Sequence, residues 1–85
     1  MVYFVKCGSS VKVGYSRSVG SAWERMKNMQ TGNPTELEMV KVVLGGLTEE
    51  RKIHRLFETY LIRGEWYKFD PMVETIINAL PNTTV

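Results

Sequence analysis

The first sixteen residues constrain this chain more than any other stretch. Val2-Tyr3-Phe4-Val5-Lys6 is apolar and rich in β-formers, and Cys7-Gly8-Ser9-Ser10 is turn material. Val11 to Ser16 then alternates, with Val11, Val13 and Tyr15 on one side and Lys12, Gly14 and Ser16 on the other. Two such runs around a glycine-containing loop predict a β-hairpin. The hairpin also carries more than it needs. Tyr3 puts a phenol in the first strand, and Lys12 and Gly14 share one face of the second. A glycine inside a strand weakens it and often marks a close approach by a ligand or another backbone. An ammonium beside such a gap suits a phosphate.

Beyond the hairpin, Ser21 is the expected cap of a helix over Ala22 to Gln30 with Ala22, Met26 and Met29 as its buried stripe. Thr31-Gly32-Asn33-Pro34 stops it. Leu37 to Leu44 is expected to be a third strand, broken by Gly45-Gly46. Thr48 is the expected cap of a second helix reaching Arg63, with Glu49 and Glu50 in its first turn and Gly64 at its end. Its apolar stripe is Ile53, Leu56, Phe57, Tyr60 and Leu61. Glu65 to Phe69 reads as extended, with Trp66 in the core. Asp70-Pro71 opens a last helix over Met72 to Leu80, with Val73, Ile76, Ile77 and Leu80 inward. The order is β-β-α-β-α-α, an α+β fold with an antiparallel sheet.

Eighty-five residues make one domain, expected over 1–80 with a tail at 81–85. No apolar run approaches a membrane span and no signal-peptide layout opens the chain, so a cytoplasmic protein is expected. Cys7 is the only cysteine, which excludes an internal disulfide and argues against a cysteine-based zinc site. A net charge of +2 is a weak pointer to a polyanion.

Helical phase at about 100° per residue brings Glu50 into the apolar sector of the second helix, with His54 at its margin. Glu49 projects near the same sector, and periodicity does not choose between the two. First-turn acids commonly serve only the helix dipole. Glu50 and His54, at i and i+4, are too few ligands for structural zinc but enough for a magnesium ion that keeps waters and takes a phosphate oxygen. Singly, each residue has an ordinary explanation: Tyr3 as core, Lys12 as a solvated strand residue, Arg25 as a surface charge, His54 as hydrogen-bonded packing. Their joint occurrence is what stands out.

Taken together, Tyr3 in Val2-Tyr3-Phe4-Val5 and Lys12-Val13-Gly14-Tyr15-Ser16 resemble the two half-motifs of the GIY-YIG endonuclease superfamily, in the small phage and bacterial branch whose second half-motif reads K-[IV]-G. Arg25 with Gln30-Thr31-Gly32-Asn33-Pro34, Glu50-Arg51-Lys52-Ile53-His54-Arg55-Leu56-Phe57 and Gly64-Glu65-Trp66-Tyr67 resemble that branch's helix and loop, E-x-x-x-H-x-x-F segment and G-E-W-[FY] signature. The resemblance runs from Val2 to Phe69. It implies a three-stranded antiparallel sheet with flanking helices, and hydrolysis of DNA phosphodiesters with Mg²⁺ or Mn²⁺. It implies Tyr3, Lys12, Arg25 and Glu50 as catalytic residues, Glu50 also as the metal ligand, and Tyr15 and His54 as supporting candidates. Arg17, Lys27, Arg51, Lys52 and Arg55 are the expected DNA contacts.

Chemically, Arg25 would stabilise developing phosphorane charge and Tyr3 would position or deprotonate water, its ionisation eased by Lys12. The chain departs from the pattern at three places. Lys12 replaces the usual second tyrosine, Met1 stands where the first half-motif has glycine, and Met29 stands where many family enzymes carry tyrosine or histidine. A non-catalytic DNA-binding or regulatory module, using the basic face of Arg51, Lys52, Arg55 and Arg63, is the alternative. A dimer is compatible with either reading.

Overall fold

A computed structural model describes residues 1–81; the expected tail beyond Pro81 lies outside the described residues. The N-terminal hairpin forms as the alternation predicts. Strand β1 (Val2–Cys7) pairs antiparallel with β2 (Ser10–Tyr15) in the register Tyr3 to Gly14 and Val5 to Lys12. Gly8, at φ +61°, supplies the left-handed first position of the two-residue turn. Helix α1 (Val19–Gln30) follows, then β3 (Leu37–Val43), which pairs antiparallel with the other edge of β1.

The register of β3 slips between Phe4 and Val5, which face Lys41 and Met39. A bulge of this kind sends two successive residues to one side. Val40 therefore joins the core, while the Lys41 ammonium reaches the carbonyls of Ile77, Asn78 and Leu80 at 2.9, 3.2 and 2.6 Å. There it satisfies the open end of the last helix.

The second half departs from expectation. Helix α2 spans only Leu47–Leu56. A single 3₁₀ turn at Glu58–Tyr60 leads into β4 (Leu61–Arg63), Gly64 turns the chain at φ +56°, and β5 (Trp66–Lys68) returns. Among the described residues the sheet therefore has five strands rather than three, in the order β3-β1-β2-β5-β4, and the chain order is β-β-α-β-α-β-β-α. The reason lies at the free edge of β2. Residues Ser10 to Lys12 would leave a row of backbone groups unpaired, and β5 pairs with them through Lys68, Tyr67 and Trp66. Periodicity extended the helix because Leu56 and Leu61 fit its stripe. Both are instead half or more exposed, and of that stripe Ile53, Phe57 just past the helix end and, in part, Tyr60 reach the core. Trp66 is half-buried rather than core.

Two helix starts also move. Ser18, not Ser21, caps α1, its hydroxyl accepting from the Ser21 N–H. Gly46, not Thr48, precedes α2, and its N–H donates to the Glu49 carboxylate at 2.6 Å. Helix α3 (Pro71–Ala79) begins as expected, with Asp70 accepting from the Met72 N–H.

Helices cover both faces of the sheet. Ala22, Met26 and Met29 of α1 pack against Tyr3, Val5 and Leu37. Ile53 of α2 and Phe57 at its C-terminal end, with Val73 and Ile77 of α3, pack against Val2, Phe4, Val11, Val13 and Tyr67. Strand β1 is thus buried on both sides, which is why Val2 to Val5 is an unbroken apolar run.

Candidate functional site

Gly14 is where the site begins. A Cβ at this position would meet the Tyr3 ring, whose Cε2 lies 2.8 Å away. The close approach that a strand glycine signals is made here by the cross-strand phenol rather than by a ligand or a backbone. Tyr3 is 1% exposed, and its ring lies across the bare backbone of β2. On the far side of β2, β5 gives ladder partners only to Ser10–Lys12, and the Val13 N–H then donates to the Glu65 carbonyl. Helix α2 packs against β2, and Tyr3 lies within electrostatic reach of Glu50 in the first turn of α2 and of Glu65 in the β4–β5 turn.

Arg25 comes from α1. The stripe Ala22, Met26 and Met29 faces the sheet, so Arg25 sits at its flank and reaches the Tyr3 hydroxyl. Burial pushes the Tyr3 phenol above its ordinary value of 10.0. The Arg25 guanidinium pulls it part of the way back, and the carboxylates of Glu65 and Glu50 push it up again. At neutral pH Tyr3 therefore keeps its proton. The expected help from Lys12 is not what acts on it. The Lys12 ammonium lies 3.8 Å from Glu65 Oε1 and 3.6 Å from the Met29 sulfur.

Glu49 and Glu50 part company. Glu49 is exposed, and the Gly46 N–H holds its carboxyl below the usual range, the ordinary role of a first-turn acid. Glu50 is turned inward, its side chain 13% exposed, and Oε2 lies 3.8 Å from His54 Nε2. The same nitrogen lies 4.0 Å from Glu65 Oε2. The other ring nitrogen, Nδ1, is hydrogen-bonded to the Tyr67 hydroxyl. Burial raises the Tyr67 phenol above 10.0, with Glu65 and Glu50 adding to the shift. One ligand atom from each of Glu50, His54 and Glu65 lies within 4.8 Å of the others. Two carboxylates and an imidazole fit a divalent cation that keeps part of its water.

Tyr3, Lys12, Arg25 and Glu50, scattered over the first fifty residues, thus line one region with His54. Tyr15 follows Val11 and Val13 on the face of β2 opposite Tyr3 and Lys12, and it pairs with Val2 across the ladder.

Among the expected DNA contacts, Arg17, Lys27, Arg51, Lys52 and Arg55 are all exposed. They do not form one patch. Lys27 lies about 200° around α1 from Arg25, and it lines an open groove of about 390 Å³ with Gly20, Trp23 and Met26. By helical phase Arg51 lies beside His54 on one flank of α2, and Arg55 points away from the core, between Arg51 and Lys52. Lys52 lies on the other flank, beside Val43, Ile53 and Leu80.

Two residues at the site were given no role from sequence. Glu65 sits in a turn where an acid is unremarkable, and Tyr67 sits in a short aromatic run. The only signal was their place in the Gly64-Glu65-Trp66-Tyr67 segment.

No family model, curated protein or solved structure matches the chain. Among the described residues, no helix is long and apolar enough to cross a membrane.

Proposed function

We propose that this chain is a metal-dependent DNA endonuclease of the GIY-YIG type, hydrolysing phosphodiester bonds to nick or cut DNA. The observation that carries the reading is the meeting of Tyr3, Arg25, Lys12 and Glu50 at the uncovered end of β2, with cations on one side and carboxylates on the other. A phosphodiester needs both. Its non-bridging oxygens attract guanidinium and ammonium groups, and the charge of the leaving oxygen must be neutralised.

The Arg25 guanidinium is the group best placed to bind the phosphate and to meet charge developing on it. Lys12 adds a second positive charge from β2. Tyr3 remains a neutral phenol and acts as a donor that orients the phosphate or the attacking water. Glu50 is the carboxylate assigned to Mg²⁺ or Mn²⁺. When bound, such an ion supplies Lewis-acid polarisation and stabilisation of the leaving oxyanion. Arg51 and Arg55 extend the positive surface along α2 toward flanking phosphates.

A second reading is favoured by one specific contact. Met29 lies against the Lys12 ammonium at the place where a proton acceptor would serve catalysis. On that reading the chain binds DNA and does not turn it over.

A supercoiled-plasmid assay with Mg²⁺ or Mn²⁺ separates them. Wild type nicks the plasmid, and Glu50→Gln loses several kcal/mol of charge stabilisation, about a thousandfold in rate. Cleavage undiminished in Glu50→Gln removes the role of Glu50. Salt-sensitive binding without cleavage under either metal selects the second reading.

A further inference from the structure

We infer that Glu50, His54 and Glu65 together form a three-ligand site that prefers a first-row transition-metal dication, Mn²⁺ included, over Mg²⁺, with His54 Nε2 as a direct ligand. This deepens the proposed function, on which it rests for the purpose of the ion, and goes beyond a single carboxylate holding magnesium.

The first argument is separation. His54 Nε2 is 3.8 Å from Glu50 and 4.0 Å from Glu65. Those distances are too long for hydrogen bonds. The three groups face a common gap rather than one another. Two donors sharing an ion at about 2.1–2.2 Å stand at most roughly 4.4 Å apart, so small side-chain rotations close a set already within 4.8 Å.

The second argument is orientation. Tyr67 holds Nδ1, which fixes the ring and directs Nε2 toward both carboxylates. A metal-bound histidine is commonly steadied in this way through its other nitrogen. Tyr67 is itself anchored in the core, with its ring edge against Phe57 at 5.7 Å. The third argument is origin. His54 and Glu50 share one helix flank, whereas Glu65 is brought from a turn by the pairing of β5 with β2. The hairpin that completes the sheet also completes the donor set.

Donor chemistry sets the choice of ion. Magnesium takes oxygen ligands and sheds water reluctantly. An imidazole nitrogen is taken more readily by first-row transition ions than by Mg²⁺, and Mn²⁺, the weakest binder of that row, is the most demanding probe of the preference. Lys12, beside the outer oxygen of Glu65, limits the negative charge of the pair without filling the gap.

The test is metal binding itself, read by the loss of the free Mn²⁺ electron paramagnetic resonance signal, with Mg²⁺ as competitor. Wild type is expected to bind Mn²⁺ at least about tenfold more tightly than Mg²⁺. His54→Gln and Glu65→Gln, each checked for an unchanged circular-dichroism spectrum and melting temperature, are each expected to weaken Mn²⁺ at least about tenfold. His54→Gln should also erase the preference over Mg²⁺. Tyr67→Phe should weaken Mn²⁺ by about tenfold to a hundredfold through the ring orientation. Absence of Mn²⁺ binding by wild type overturns the inference, as does His54→Gln with wild-type affinity and selectivity. Mn²⁺ binding through all three residues without cleavage of any nucleic acid keeps the site and removes the nuclease. Cleavage that needs Glu50 but not His54 or Glu65 for metal affinity does the reverse.

Discussion

The two walls of the site are built in different ways. The wall on α1 and β2 carries Arg25 and Lys12, long side chains reaching inward from a helix flank and a strand. Its partner, on α2 and the β4–β5 turn, carries Glu50, His54 and Glu65, with the imidazole held from behind by Tyr67. Tyr3 lies between them, in contact with one wall and under the electrostatic influence of both. The contrast teaches a division of labour. Flexible cations suit an anion that must come and go, and a braced donor set suits an ion that stays.

Breaking one wall at a time tests that division. The largest effect is expected from Arg25→Ala, which should slow plasmid nicking by about a hundredfold to a thousandfold while leaving Mn²⁺ affinity unchanged. Loss of metal binding together with activity would mean the walls are not separable. Gly14→Ala strikes at the hinge between them. Its methyl group meets a buried ring with no room to move, so a loss of about 1–3 kcal/mol is expected in urea or thermal melts, and activity should fall as Tyr3 is displaced. An unchanged melting temperature would mean that the ring repacks without cost.

Smaller effects sharpen the map of the cationic side. Arg51→Ala should reduce the salt slope of DNA binding by about 1. Arg55→Ala, on the side of α2 facing away from the core, should reduce it less, and Lys52→Ala should leave it unchanged, because Lys52 belongs to the opposite flank. Equal effects from all three would spread the interface around the helix. The smallest effect concerns pH. Tyr3 and Tyr67 both ionise above the unfolded value of 10.0. A raised folded value contributes stability that is complete below that point and is lost as pH rises through the folded values. Denaturant midpoints should therefore be insensitive to these groups at neutral pH and decline above pH 10, less steeply in Tyr3→Phe. Identical decline in Tyr3→Phe and wild type would contradict the raised value at Tyr3.

The same contrast explains what the sequence made legible. The β1–β2 hairpin and α1 were readable because local pattern and tertiary environment agree there. Alternation, a turn glycine and a short apolar stripe each demand the same structure. The stretch after Leu56 departs from its local pattern because a non-local demand overrides it. Leu56, Tyr60 and Leu61 continue a helical period, and nothing local reveals that β2 has an edge needing a partner. That edge is a non-local fact, and it decides the outcome. Tyr3, Lys12, Arg25 and Glu50 stand out together only through the resemblance, which alone chooses Glu50 over Glu49. Glu65 could not be named, since its place depends on the hairpin that was read as the end of a helix. Gly14 marks a close approach in the sequence, but its occupant is the Tyr3 side chain rather than a ligand or backbone, and only the β1–β2 register, which puts Tyr3 opposite it, reveals that.

The most direct measurement is anomalous diffraction from crystals grown with Mn²⁺ and a short DNA oligonucleotide. The account predicts one manganese peak on the Glu50 carboxylate, with a backbone phosphate between it and the Arg25 guanidinium and with Tyr3 beside that phosphate. A peak away from Glu50, or a phosphate bound on a surface that Arg25 and Tyr3 do not reach, would contradict it.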